Sequence, residues 1–232
     1  MADPADLAVI TLRRLIISAQ GIRGLFVATD TSLAERMRLR RWEFIKTRLP
    51  DLPDMHVLDL GGKTSFWERA PVLPRHVTIV NLTDQDDAEL PWLTSITGDA
   101  CHADRLVPGQ SFDLVFSNSL IEHVGGHHAR SFLARVVRSL APRYLIQTPY
   151  RYFPIEPHWI FPGMQFLPLR AQAYIAPRWP LGHTRGWDKR TALDSVMYTE
   201  LISATDMREY FPDGRLYWER FAGLPKSMTV IR

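Results

Sequence analysis

Cysteine is almost missing from this chain. Cys101 stands alone among 232 residues, so no intramolecular disulfide can form and a cysteine-rich zinc site is excluded. A reducing compartment suits that composition, and the cytoplasm is the expected location. Charge of one sign is equally scarce: 28 basic against 25 acidic residues leave a formal net charge of +3. With so small an excess no nucleic-acid partner is expected, although the pI is about 9.2. Two local basic clusters, Arg36 to Arg41 and Arg185 to Arg190, contain or adjoin apolar or acidic residues and read as solvated helix faces. Long uncharged apolar runs are lacking too. The amino-terminal apolar stretch follows Asp3 and Asp6 and is interrupted by Arg13 and Arg14, which matches neither a signal peptide nor a membrane span. There is no low-complexity tract and no internal repeat, so neither disorder nor a solenoid is indicated.

What is present suffices for a sizeable core: 46% of the residues are apolar. A single domain with appendages is expected, divided into amino-terminal helices (1–50), a core (51–150), an irregular insertion (151–198) and a closing helix with strands (199–232). Asp3-Pro4 predicts a helix start running to about Gln20, too apolar around its surface to stand alone, which leaves a homodimer contact open. Ser32 and Glu35 have capping-box spacing and open a second helix to about Arg48.

After Pro50 to Pro53 the pattern changes. His56 to Leu60, His76 to Leu82, Phe112 to Asn118 and Arg143 to Thr148 are short runs rich in Val, Ile and Leu, as strands buried on both faces require. Ser95 to Gly98 is a weaker strand. A helix from His127 to Leu140 carries Phe132, Leu133, Val136, Val137 and Leu140 on one stripe. Such alternation predicts an α/β fold with a mostly parallel sheet covered by helices. Residues 150–195 lose the rhythm, and a helix over Thr199 to Tyr210 precedes strands at Arg215 to Phe221 and Met228 to Ile231.

Chemistry is expected where the strands end. Val57-Leu58-Asp59-Leu60-Gly61-Gly62 is a buried strand closing on an acid and two glycines, which let a backbone approach a ligand closely. The next strands end at Asn81 and at Gly98-Asp99-Ala100, and the fourth runs through Ser117-Asn118 into Ser119-Leu120-Ile121-Glu122-His123. Over residues 56–150 this combination resembles the class I S-adenosylmethionine-dependent methyltransferases, in particular the type 11 branch, with a Rossmann-like seven-stranded sheet and helices on both faces.

The resemblance implies S-adenosylmethionine as cofactor. Asp59, Gly61 and Gly62 would hold its methionine end, Asn81 would sit by the ribose, Asp99 would accept from the adenine amine with Ala100 beside it, and Ser117 would line the methionine pocket. Two departures stand out: the loop reads Gly-Gly-Lys where Gly-x-Gly is usual, and Asn81 stands where an acid is usual. Glu122 and His123 follow the fourth strand, making His123 a candidate base or, with a divalent metal such as Mg2+, a ligand; Ser119 replaces the first acid of the related metal-binding segment.

After the fifth strand, Thr148-Pro149-Tyr150-Arg151-Tyr152-Phe153-Pro154-Ile155-Glu156-Pro157-His158-Trp159 looks like the substrate-facing segment of that branch. His158 is a second candidate base, Glu156 orients it or binds an acceptor hydroxyl, and Tyr150, Tyr152 and Trp159 offer faces for stacking on a sugar ring. The Gly182-His183-Thr184-Arg185-Gly186-Trp187-Asp188 stretch could add polar contacts to the acceptor. The pattern is similar to actinobacterial enzymes that methylate sugars in polysaccharide synthesis, so a carbohydrate hydroxyl is the expected acceptor. A lipid or quinone-like acceptor and a non-catalytic cofactor-binding regulator are the alternatives.

Overall fold

The computed structural model describes residues 33–83 and 90–232; the helix expected over residues 3–20 lies outside them. The first described helix, α1 (Leu33–Arg48), stops just before Pro50. Proline disfavours helical backbone in the residue ahead of it. Then follow β1 (His56–Leu60), α2 (Thr64–Trp67), β2 (His76–Asn81), β3 (Leu93–Thr97), α3 (Ala103–Leu106), β4 (Leu114–Asn118), α4 (His127–Leu140) and β5 (Arg143–Pro149). Beyond them come β6 (Ile155–Glu156), β7 (Phe161–Pro162), α5 (Leu169–Ile175), α6 (Lys189–Tyr198), α7 (Ala204–Tyr210), β8 (Arg215–Phe221) and β9 (Leu224–Ile231). Among the described residues no helix is long and apolar enough to cross a membrane.

The described residues form two compact units, a sheet unit (Ile45–Pro154 with Met197–Arg232) and an insertion unit (33–44 with Ile155–Val196). In the sheet unit seven strands lie in the order β3-β2-β1-β4-β5-β9-β8, the first five parallel and β9 antiparallel to both neighbours. Consecutive residues such as Val57 and Leu58, Ile79 and Val80, or Leu114 and Val115 have no exposed surface. Neighbours in a strand point to opposite faces, so both faces of the central sheet are covered.

Helix α4 contributes Leu133, Ala134, Val136 and Val137 to the same core as Leu58, Val115 and Ile146. Each large apolar side chain buried in this way stabilises the fold by roughly 1.5–3 kcal/mol. Helix α7 adds Met207 and Tyr210.

Several boundaries differ from the sequence reading. Strand β3 begins at Leu93 rather than Ser95. Helix α7 begins at Ala204 rather than Thr199, because Ser203 and Asp206 close a reciprocal capping box, while Ile202 pairs with Tyr150. The irregular stretch contains a β6/β7 hairpin and the helices α5 and α6. Helix α5 buries none of its seven residues and so carries no amphipathic signature.

Candidate functional site

The parallel strands run out at one edge of the sheet. Strand order reverses between β1 and β4, and open α/β sheets bind ligands beyond the strand ends at such a switch point. The loop after β1 is built around Asp59, which has no exposed surface. Trp67, equally buried on α2 and packed on Phe116 of β4, donates its Nε1 hydrogen to Asp59 Oδ2 at 2.7 Å. Asp59 Oδ1 has no hydrogen-bond partner among the described residues. Burial pushes the Asp59 carboxyl up to about 7, against the opposing pull of the Trp67 hydrogen bond.

This acid explains the second glycine. A Cβ at Gly62 would overlap the Asp59 carboxylate, so only glycine lets the loop lie over it. Gly61 sits at φ +77°, and its N–H donates to the Val80 carbonyl at 2.8 Å, prolonging the β1–β2 ladder by one step. The glycine at position 62 therefore has a local cause in packing.

Asn81, at the end of β2, donates from Nδ2 to the Gly62 carbonyl at 2.7 Å. Its amide thus ties two strand-end loops together, a contact the sequence reading did not foresee. Asp99 follows β3 and caps the turn Ala100–His102, accepting from the Cys101 N–H at 2.9 Å and lying 3.2 Å from His102 Nδ1. Its side chain stays 52% exposed and can accept from a ligand, whereas Ala100 is buried. Ser117, at the end of β4, donates to the Leu60 carbonyl at 2.9 Å and so ties the two strands that flank the switch point. Asp59, Gly61, Gly62, Asn81, Asp99 and Ser117 thus all belong to one edge of one sheet.

Ser119 takes φ +62° directly after β4, donating through its N–H and its hydroxyl to Gln147 of β5. The chain turns through Ile121–His123 there. Glu122 is fully buried, its Oε2 accepting from Thr148 of β5 at 2.9 Å and its carbonyl accepting from the Glu200 N–H at 2.9 Å. His123 beside it is partly exposed. Tyr150 packs edge-on against Trp218 with ring centres 4.8 Å apart, and its neighbour Tyr152 is 58% exposed.

The insertion unit holds the other histidine. Glu156 is buried, and both its oxygens are used: Oε1 lies 2.6 Å from His158 Nδ1 and Oε2 accepts from the Trp159 N–H at 2.9 Å. A carboxylate can only accept, so Nδ1 carries a hydrogen, and in the neutral ring Nε2 is the basic nitrogen of His158. Trp159 corrects the sequence reading. It offers no flat face for stacking, because it is 2% exposed, clusters with Met164 and Ala176, and donates from Nε1 to Thr184 at 2.9 Å.

No protein-family model matches the chain, and no curated protein matches it in sequence. Solved structures do match in fold. Magnesium protoporphyrin IX methyltransferase from Synechocystis PCC 6803, with bound SAH, superposes over 96% of this chain and 99% of its own with a TM-score of 0.53 at 13% identity. The N-methyltransferase NodS from Bradyrhizobium japonicum WM9 covers 88% of this chain and 97% of its own, with a TM-score of 0.53 at 10% identity. A cyclopropane-fatty-acyl-phospholipid synthase-like protein from Lactobacillus casei ATCC 334 covers 92% of this chain and 97% of its own, with a TM-score of 0.54 at 10% identity. The fold is the Rossmann-like fold of class I methyltransferases. At such low identity the likeness defines architecture, and chemistry must be argued from the site.

Proposed function

We propose that this protein is an S-adenosylmethionine-dependent O-methyltransferase whose acceptor is a hydroxyl of a sugar or oligosaccharide. The observation that carries this reading is the set of strand ends at the switch point, where Asp59 with the two glycines, Asn81, Asp99 and Ser117 succeed one another from β1 to β4. The residues fit the cofactor. A buried acceptor left over at Asp59 Oδ1 is what a cationic ligand group at the glycine loop would satisfy, and the half-exposed Asp99 carboxylate suits an exocyclic amine. When bound, S-adenosylmethionine supplies an electrophilic methyl on a sulfonium. The protein's part is to align the acceptor and to take its proton. His158 suits the second task, since Glu156 fixes its tautomer and leaves Nε2 basic. His123 is the alternative base. A divalent metal such as Mg2+ at Glu122 and His123 would acidify the acceptor hydroxyl, and the effect of a chelator on turnover tests for it. Tyr152 and Tyr150 are the aromatic candidates for contact with a sugar ring.

The test is calorimetry with S-adenosylmethionine and S-adenosylhomocysteine on wild type and Asp99→Ala, with NAD and ATP as controls. Selective binding weakened by the substitution is expected; no binding, or binding of NAD in its place, refutes the reading. Methylation of sugar acceptors by His158→Ala and His123→Ala variants then identifies the base. A lipid or quinone-like acceptor is the second reading, favoured by exposed Phe166, Leu169, Tyr174 and Trp187. Retention on liposomes with turnover of an apolar acceptor would select it.

A further inference from the structure

The loop Pro157 to Ile160 closes the two-residue strands β6 and β7. Ile160 sits at φ +52°. A β-branched residue in the left-handed region is strained, so the surrounding structure must hold this loop in place. Two strand residues on each side supply little grip.

The holding contacts come from three consecutive residues some 25 positions further along. Thr184 is fully buried, and its hydroxyl accepts from Trp159 Nε1 at 2.9 Å and donates to the Ala176 carbonyl at 2.8 Å. Gly182 lies so close to the indole that an added Cβ would come within 2.8 Å of Trp159 Cδ1. His183, between them, bonds through Nδ1 to the backbone carbonyl of His158 at 2.9 Å and through Nε2 to Ser195 Oγ at 3.0 Å. A carbonyl only accepts, so His183 carries its hydrogen on Nδ1, and its Nε2 accepts from the Ser195 hydroxyl. The His183 ring also packs on Trp159, with ring centres 5.1 Å apart.

We propose that Gly182-His183-Thr184 is a clamp that positions the His158 base, with His183 as its central positioning residue and Ser195 as its anchor on α6. Glu156 fixes the His158 ring from one side, and the clamp fixes the backbone that carries the ring from the other. The inference rests on the reading of His158 as the base, but its geometry can be tested without any acceptor or cofactor.

The experiment is nitrogen-15 NMR of the histidine rings in the full-length protein, with His158→Gln used to assign the His158 signals. Wild type is expected to show His158 in the single Nδ1–H tautomer. His183→Ala is expected to average the two His158 nitrogen shifts toward a tautomer mixture, and His183→Asn, whose amide can still donate to the His158 carbonyl, is expected to restore the wild-type pattern. Where an acceptor is turned over, His183→Ala lowers kcat by about 10- to 100-fold, with the KM for S-adenosylmethionine unchanged. Unchanged His158 shifts in folded His183→Ala overturn the proposal. If that variant does not fold, Ser195→Ala decides in the same terms: averaging supports the clamp and unchanged shifts overturn it. Calorimetry with S-adenosylmethionine on the same samples separates the two readings, because a failed cofactor reading abolishes binding in wild type without altering the NMR outcome.

Discussion

Asp59 is an acid the fold keeps from water, and this has a calculable effect on stability. Its carboxyl titrates at about 7 in the folded chain, against an ordinary value of 3.8. Below the ordinary value both folded and unfolded chains hold the proton, and nothing is lost. As pH rises from about 4 to about 7 the unfolded chain releases the proton while the fold retains it, so stability falls across that window and levels off above it. Asp59→Asn keeps an acceptor for Trp67 and removes the titration. In cofactor-free protein the variant's melting temperature is therefore expected to match wild type near pH 4 and to exceed it, on the order of several °C, by pH 8. A gap that does not widen with pH would refute the buried-charge account. The same variant should bind S-adenosylmethionine more weakly, so stability and ligand affinity move in opposite directions at one residue.

Two elements carry local devices whose worth can be measured. The β8/β9 hairpin turns on two residues, Ala222 at φ +48° and Gly223 at φ +81°, both left-handed as the favoured two-residue hairpin turn requires. Alanine is the costly choice in that conformation. Ala222→Asn is expected to raise unfolding stability by about 0.5–1 kcal/mol in urea titrations. At α7 the Ser203 hydroxyl accepts from the Asp206 N–H at 3.2 Å and donates to its carboxylate at 2.7 Å. Ser203→Ala is expected to cost about 1 kcal/mol, read from the same titrations.

The core strands were legible because burial on both faces writes itself as consecutive Val, Ile and Leu, and the strand-end residues followed from them. The contacts that define the site were not. Trp67 meets Asp59 only because α2 folds back over β1, and Thr148 meets Glu122 through β5. Such pairs leave no period in the sequence. Trp159 was misread for a related reason: its partner, Thr184, lies 25 residues away in a segment whose helices are too short to announce themselves.

At the scale of the whole molecule the insertion unit interrupts the sheet unit between Pro154 and Met197. The sheet unit closes that gap itself. Tyr150 and Ile202 pair as a parallel bridge, and the Arg151 N–H donates to the Ile202 carbonyl at 3.1 Å. A chain of Ile45–Pro154 joined to Met197–Arg232 by a short Gly/Ser linker is thus expected to fold cooperatively, with strand content by circular dichroism and a single unfolding transition. A non-cooperative product would show that the sheet depends on what was removed. The bridge at Tyr150 and Ile202 has a consequence for descent as well as for folding. It makes a splice point at which one inserted segment can be exchanged for another by recombination while the seven-stranded sheet keeps its register.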